Sequence, residues 1–298
     1  MSALHRYAGF GLTFECELPS PGFAPSDEPA DVRIRIGAVP ARLERPVVRG
    51  LTFEADAHRV LLRCPGSARF LIQEATDITM QPESEAPEDV VGPSVGAALG
   101  VLLIQRGAFM VHAAACASGQ GAIVLTGFAG RGKSTLLAAL VARGHDLLAD
   151  DLVAIGLDAS DHPIAHPAFA QFTLRVDSLG RLGLDHRYLR PILPGVAKYF
   201  VPAAARFCQR PQPIRAVYVL EGDSPEGIEV VPLTGQDRFA ALRPHVYAPR
   251  LVEGLRFNRA QFSVAMALAA KVPVFRLRRP SGLAFVDGLA DAIERSSC

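Results

Sequence analysis

A glycine-rich loop between an apolar strand and a helix constrains this chain more than any other feature. From Val111 to Asp151 the sequence reads VHAAACASGQGAIVLTGFAGRGKSTLLAALVARGHDLLADD. Within it, Gly127-Phe-Ala-Gly-Arg-Gly-Lys133-Ser134 fits G-x-x-x-x-G-K-[ST], the Walker A phosphate loop. Ala122–Thr126 is an apolar run suited to a buried strand, and Leu136–Val141 opens a helix rich in Leu and Ala. Strand, glycine-rich turn and helix follow in the order that a phosphate loop requires.

Gly127, Gly130 and Gly132 allow backbone angles that side chains forbid, so that loop N–H groups can turn inward around an anion. The helix that follows adds the partial positive charge of its N-terminus. Lys133 is expected to reach the β/γ-phosphates, and the Ser134 hydroxyl to ligate Mg²⁺. Arg131 and Thr135 complete the expected nucleotide contacts. The cofactors implied are ATP and Mg²⁺.

Such a loop needs an acidic partner for the metal. Asp150-Asp151 closes an apolar run, with Asp150 17 residues after Lys133. Read as one strand running Asp146–Ile155, the two carboxylates point to opposite sides. One can face the metal at Ser134, and the other can accept a proton from an incoming hydroxyl. Asp150 is assigned here as the base and Asp151 as the metal ligand. His112 stands on the strand that precedes the loop strand. A lone His on an apolar strand is more often a core residue than a catalytic one. Of 31 basic residues only three are lysines, Lys133, Lys198 and Lys271. Arg175 and Lys198 are candidates to neutralise phosphate or to hold an acceptor.

The remaining chain sets the frame. Its 298 residues allow one large domain or two ordinary ones. A hydrophobic content of 49% with 20% charged residues describes a globular chain with an ample core. A net charge of +1 gives no reason to expect nucleic-acid or anionic-membrane binding. No apolar run reaches the length of a membrane span, and MSALHRYAGF lacks the pattern of a signal peptide. The five cysteines are scattered and include no C-x-x-C pair, which fits a cytoplasmic protein without a zinc site or disulfide framework.

Residues 1–90 read as a smaller β-rich unit for substrate binding or assembly. Strands are expected at Phe10–Glu17, Val32–Ile36, Leu51–Glu54, Val60–Arg63 and Arg69–Gln73. In VRIRI, Val32, Ile34 and Ile36 share one face. The acidic, proline-containing Gln81–Asp89 reads as a linker. Residues 91–298 read as the catalytic α/β domain. Val95–Arg106 is expected to be a helix, and Phe109–Ala115 a strand. Downstream, Thr173–Val176 reads as a strand and Asp177–Gly183 as a turn. Ala216–Leu220 and Ile228–Val231 read as a hairpin. Helices at Gln236–Leu242 and Arg259–Ala270, a strand at Val272–Leu277 and a helix at Gly282–Arg295 close the chain.

The block from His112 to Asp151 resembles the catalytic domain of the HPr kinase/phosphorylase family, serine kinases whose fold is related to phosphoenolpyruvate carboxykinase. The resemblance rests on His112 placed 21 residues before Lys133, the loop GFAGRGKS, the run ALVARGHDLLADD and the double aspartate. It implies a P-loop kinase domain of that type. It also implies phosphate-site assistance by His112, phosphate and metal binding by Lys133 and Ser134, and metal and base roles for Asp150 and Asp151. The family's later signature, an acidic residue followed by Arg-Gly-Leu-Gly, is replaced here by His166-Pro-Ala-Phe-Ala-Gln-Phe-Thr-Leu-Arg-Val-Asp177. That segment, RGAFMVHAAAC and AKYFVP look like the HPr-kinase-like lasso-peptide precursor kinases. The resemblance therefore implies a serine on a peptide or protein, of lasso precursor type, as the acceptor in place of HPr, and a homo-oligomer. A kinase of a small hydroxylated metabolite and a non-catalytic ATP-binding regulator stand as the alternatives.

Overall fold

The alternating N-terminal runs fold as one long sheet, and the half that carries the glycine-rich loop forms a second, with Gln171–Arg175 and Lys198–Pro202 as a separate pair. The computed structural model describes residues 4–83, 91–193, 195–224, 227–255 and 259–296. The chain is mixed α/β.

The first sheet contains β1 (His5–Gly9), β2 (Leu12–Cys16), β3 (Ala24–Pro25), β4 (Val32–Ile36), β5 (Val48–Arg49), β6 (Phe53–Ala55), β7 (Arg59–Cys64), β8 (Ala68–Gln73) and β9 (Asp77–Pro82). Their order among the described residues is β3-β1-β2-β4-β9-β8-β7-β6-β5. Period-2 patterning decides the buried face. Val32 and Ile34 are buried while Arg33 and Arg35 are exposed, but Ile36, at the strand's end, is 45% exposed. The strand expected at Phe10–Glu17 instead begins at Leu12. Phe10 and Gly11 form the two-residue turn between β1 and β2, both with positive φ, as a tight hairpin turn requires. The left-handed Phe10 is held because its ring is buried and its N–H donates to the Pro167 carbonyl at 2.6 Å. β9 was not foreseen. Of the expected linker, Gln81 and Pro82 end β9, and residues 84–89 lie outside the described residues.

Helix α1 (Val91–Gln105) is apolar on every side, as suits a helix covered all round. It lies between the sheets, packing on β7 and β8 in the first. Beyond it come β10 (Phe109–Ser118), β11 (Gly121–Gly127), α2 (Lys133–Ala142), β12 (Asp146–Ala149), β13 (Leu152–Leu157), β14 (Pro163–Ala165) and β15 (Gln171–Arg175). Then follow α3 (Val176–Arg181), β16 (Lys198–Pro202), β17 (Gln212–Asp223), β18 (Glu229–Leu233), α4 (Gln236–Leu242), α5 (Pro249–Gly254), α6 (Arg259–Lys271), β19 (Val274–Arg279) and α7 (Val286–Ser296). Asp177 and its neighbours thus form a short helix where a turn was expected.

In the second sheet the pairings β11–β10–β13–β14–β17 return to β11 and close a ring, and β19 and β18 extend it from β17. The expected hairpin of β17 with β18 does not form. β19 inserts between them, parallel to β17 and antiparallel to β18. The chain reaches it by a crossover through α4, α5 and α6, a choice of neighbour that local patterning cannot encode.

Alternation along β11 and β17 serves two cores. Val124, Val217 and Val219 join a cluster that also holds Phe14 and Phe70 of the first sheet and Leu99 and Leu102 of α1. That apolar core runs without interruption across the expected boundary near residue 90. Ile123, Leu125, Tyr218 and Leu220 face the other way, onto Leu136, Leu137 and Leu140 of α2 and Leu289 and Ile293 of α7. Helix α2 is therefore anchored by its own apolar face, with its N-terminus at the sheet edge where β11 ends.

Candidate active site

β11 delivers the chain to Gly127, whose φ of 147° no L side chain adopts readily. A Cβ there would stand 2.6 Å from the Leu220 carbonyl oxygen on neighbouring β17, so the strand packing itself demands glycine. The loop ends at Gly132, left-handed at φ 88°, which is the N-cap of α2 and supplies no side-chain cap. The first-turn N–H groups of α2 therefore face the loop mouth without a capping side chain, the arrangement that accepts an anion.

Lys133 is folded into this loop. Its Nζ donates to the carbonyl oxygens of Gly127 at 2.7 Å and Phe128 at 3.3 Å, and lies 3.0 Å from Nε2 of His112. An ammonium can only donate, so Nε2 accepts and Nδ1 carries the imidazole proton. Nδ1 then donates toward Asp151, 3.0 Å from its carbonyl oxygen and 3.3 Å from Oδ1. Burial lowers the pKa of His112; the Asp151 charge opposes this and the Lys133 charge adds to it. Burial also lowers Lys133, against the charges of Asp151 and Asp150.

The two aspartates do not sit on one continuous strand. β13 pairs with Phe109–His112 of β10, whereas β12 pairs further along, with Ala115–Ala117. Asp150 and Asp151 bridge the break, and Asp151 is left-handed at φ 75°. For a non-glycine residue this conformation costs on the order of 1–3 kcal/mol, and such strain gathers at functional sites. It also places the two carboxylates in different surroundings. Asp150 is 1% exposed. Its Oδ1 accepts from Ser134 Oγ at 2.8 Å, and its Oδ2 from Thr173 N at 2.9 Å and Oγ1 at 3.2 Å. The Asp151 side chain is 60% exposed beside His112. Burial pushes the Asp150 carboxyl up, seconded by the Asp151 charge and opposed by Thr173, Lys198 and Ser134.

Thus it is Asp150, not Asp151, that touches Ser134. Ser134 Oγ and Asp150 Oδ1 are hard oxygen donors side by side, suited to a Mg²⁺ that takes one or two protein ligands and completes its shell with phosphate and water. Among the described residues no group of three or more His, Cys, Asp or Glu side chains forms a cage for a metal.

The other expected residues fall around this centre. Arg175 and Lys198 are register partners on β15 and β16. The Lys198 charge acts on both Asp150 and Lys133, while Arg175 is exposed at the N-cap of α3. Gly130 takes a φ of 81° in the loop. Arg131 is exposed on the loop's flank toward β17. The Thr135 hydroxyl is engaged by Ser178 Oγ at 2.9 Å.

One residue had no sequence signal. His245, in the segment RPHVY, is buried with its ring edge-on to Phe128 of the loop, the centroids 5.0 Å apart. Burial, with the nearby charge of Lys133, depresses its pKa to about 4. Only the docking of this segment on β10, where Tyr247 N donates to the Met110 carbonyl at 2.8 Å, brings it to the loop.

No sequence-family profile matches the chain, and no curated protein matches it. Among solved structures, the HPr(Ser) kinase/phosphatase from Coxiella burnetii is similar at 13% identity and a TM-score of 0.33, over 63% of this chain and 89% of that one. Overlap at that level carries no statement about the reaction.

Proposed function

We propose that this chain is an ATP- and Mg²⁺-dependent kinase, with a P-loop domain of the HPr kinase type, that transfers the γ-phosphate to a serine hydroxyl of a peptide or protein. The observation that carries the reading is the split aspartate pair. One carboxylate is buried against the loop serine, and the other is open to the cleft and joined through His112 to Lys133. Simple nucleotide binding needs no second, exposed carboxylate held in this way, whereas transfer to a hydroxyl uses one as a proton acceptor.

The two aspartates take roles opposite to those expected from sequence. Ser134 and Asp150 would hold Mg²⁺, which when bound neutralises phosphate charge. Asp151 is the base, being exposed and oriented by the Nδ1–H of His112. The serine Oγ attacks the γ-phosphorus while its proton passes to Asp151, and the bond from phosphorus to the β–γ bridging oxygen breaks to release ADP. Lys133 leaves its carbonyl partners for the phosphates, and the first-turn amides of α2 hold the charge that develops. His112 keeps Lys133 and Asp151 in register throughout.

Arg175 and Lys198, side by side at the edge of the site, are proposed to hold the acceptor. A lasso-type precursor peptide as that acceptor, a cytoplasmic location and a homo-oligomer rest on the sequence resemblance alone. No helix among the described residues is long and apolar enough to cross a membrane. The test is mass spectrometry of candidate peptides incubated with the protein, ATP and Mg²⁺. A gain of one phosphate, placed on serine by fragmentation, is expected. Transfer only to a small hydroxylated metabolite, or to nothing at all, would overturn the reading.

A further inference from the structure

A cleft of about 430 Å³ opens beside the phosphate loop, between its flank, the end of β17 and the segment that carries α4 and His245. Its volume falls in the ~300–1,000 Å³ range of small-molecule sites. Phe128, Arg131, Glu221, Gly222, Asp237 and His245 are among its walls. None of them belongs to the Lys133–His112–Asp151 constellation.

The topology sets a direction. β11 has two neighbours, β10 on one side and β17 on the other. The reacting groups lie on the β10 side, since His112 is on β10 and the aspartates bridge the two strands that pair with it. The cleft lies on the β17 side, above the carboxyl ends of the parallel strands β11, β17 and β19. A triphosphate laid across the loop with its transferring group at Asp151 therefore leads its other end into the cleft.

The walls fit what is attached to that end. Phe128 is 63% exposed, unusual for a phenyl group on a polar loop, and its ring stands edge-on to buried His245. That leaves an aromatic face on which a planar base can stack. Glu221, ion-paired with Arg276 at 2.9 Å, presents a carboxylate at the rim. Arg131 reaches toward Gly222, its Nη2 4.0 Å from where a Cβ on that glycine would stand, and so spans loop and cleft.

We infer that this cleft is the nucleoside subsite of the phosphoryl donor, with Phe128 as the stacking surface and Glu221 and Asp237 as acceptors for ribose hydroxyls or an exocyclic amine. The inference rests on the kinase reading above. The acceptor then approaches from the opposite side, past Arg175, Lys198 and Asp151.

The test compares two ligands by calorimetry on the full chain with Mg²⁺: ATP, and inorganic tripolyphosphate, which has no nucleoside. Ala240, exposed on α4 at the cleft wall, is replaced by Trp to fill the space without touching the loop, and Phe128→Ala removes the stacking surface. Wild type is expected to bind both ligands, ATP more tightly. Both variants should weaken ATP about tenfold or more while binding tripolyphosphate within about twofold of wild type. Unchanged ATP affinity in Ala240→Trp overturns the subsite. So does an equal loss for both ligands. If wild type binds neither ligand, it is the kinase reading that fails.

Discussion

Nζ of Lys133 and Nε2 of His112 stand 3.0 Å apart, and the contact fixes the imidazole as a neutral acceptor on that side and a donor toward Asp151 on the other. The lysine of the glycine-rich loop and a carboxylate 18 residues downstream (151 − 133) are thereby coupled through one ring. Several outcomes depend on that coupling.

Asp151→Asn keeps the size of the side chain and its place beside His112 but removes the proton acceptor. Phosphoryl transfer to peptide should fall by about 10²–10⁴-fold in kcat, with ATP affinity within a few-fold of wild type. Asp150→Asn should behave differently, raising the Mg²⁺ concentration needed for half-maximal activity. Titrating activity against Mg²⁺ in both variants separates the roles. Near-normal turnover in Asp151→Asn with loss of transfer in Asp150→Asn would return the base role to Asp150.

Lys133→Ala should lose nucleotide binding and turnover together. Charge-assisted hydrogen bonds contribute about 1.5–3 kcal/mol each, so ATP affinity should drop by roughly 10- to 150-fold. Calorimetry with ATP checks this directly. The fold should survive, because the Lys133 partners are two carbonyl groups and the His112 ring, none of them part of the apolar core.

Gly127→Ala tests whether strand packing dictates the loop. The new Cβ meets the Leu220 carbonyl oxygen at 2.6 Å and must occupy a φ of 147°. A loss of about 2–3 kcal/mol in denaturant unfolding is expected, together with weakened ATP binding. Gly130→Ala, with nothing within 4 Å of its Cβ site, meets only the backbone strain and should lose less.

Acid should weaken the fold through its buried and half-buried histidines. Folded His112, His166 and His245 all lie below the usual histidine range, mainly because of burial, and His245 lies at about 4. The unfolded chain takes up these protons first, so stability present above pH 6.5 is lost as pH falls toward 4. Asp150, whose pKa is raised, works in the opposite direction. The His245 share is therefore read as a difference. The thermal midpoint of wild type minus that of His245→Phe, followed from pH 7.5 to 4.5, should fall as the pH falls. Parallel curves would show that His245 does not titrate as its burial requires.

The conformation of the glycine-rich loop and its flanking strand and helix could be read from sequence because their constraints are local. Glycines at Gly127, Gly130 and Gly132, the apolar run before them and the Leu/Ala helix after them each fix their own backbone. The nature of the aspartate pair could not. Whether Asp150 or Asp151 faces Ser134 depends on a break between β12 and β13, and that break exists because each pairs with a different stretch of β10. The hairpin expected of β17 and β18 failed for a related reason. Two adjacent apolar runs state that they are strands, not which strand lies between them. His245 is the extreme case, since nothing around it distinguishes it from any other histidine in a polar segment.

By itself, then, the amino-acid order determined the elements whose causes lie within a few residues: the loop, its helix, the alternating strands and the inventory of chemical groups near them. Only the tertiary structure decided which groups meet. It turned Asp150 inward to Ser134 and Thr173, left Asp151 open beside His112, set Arg175 against Lys198 and brought His245 to Phe128. These choices follow from strand neighbours and burial across separations that run from 16 residues for Ser134 and Asp150 to 117 (245 − 128) for Phe128 and His245, and no local preference can specify pairings at that range.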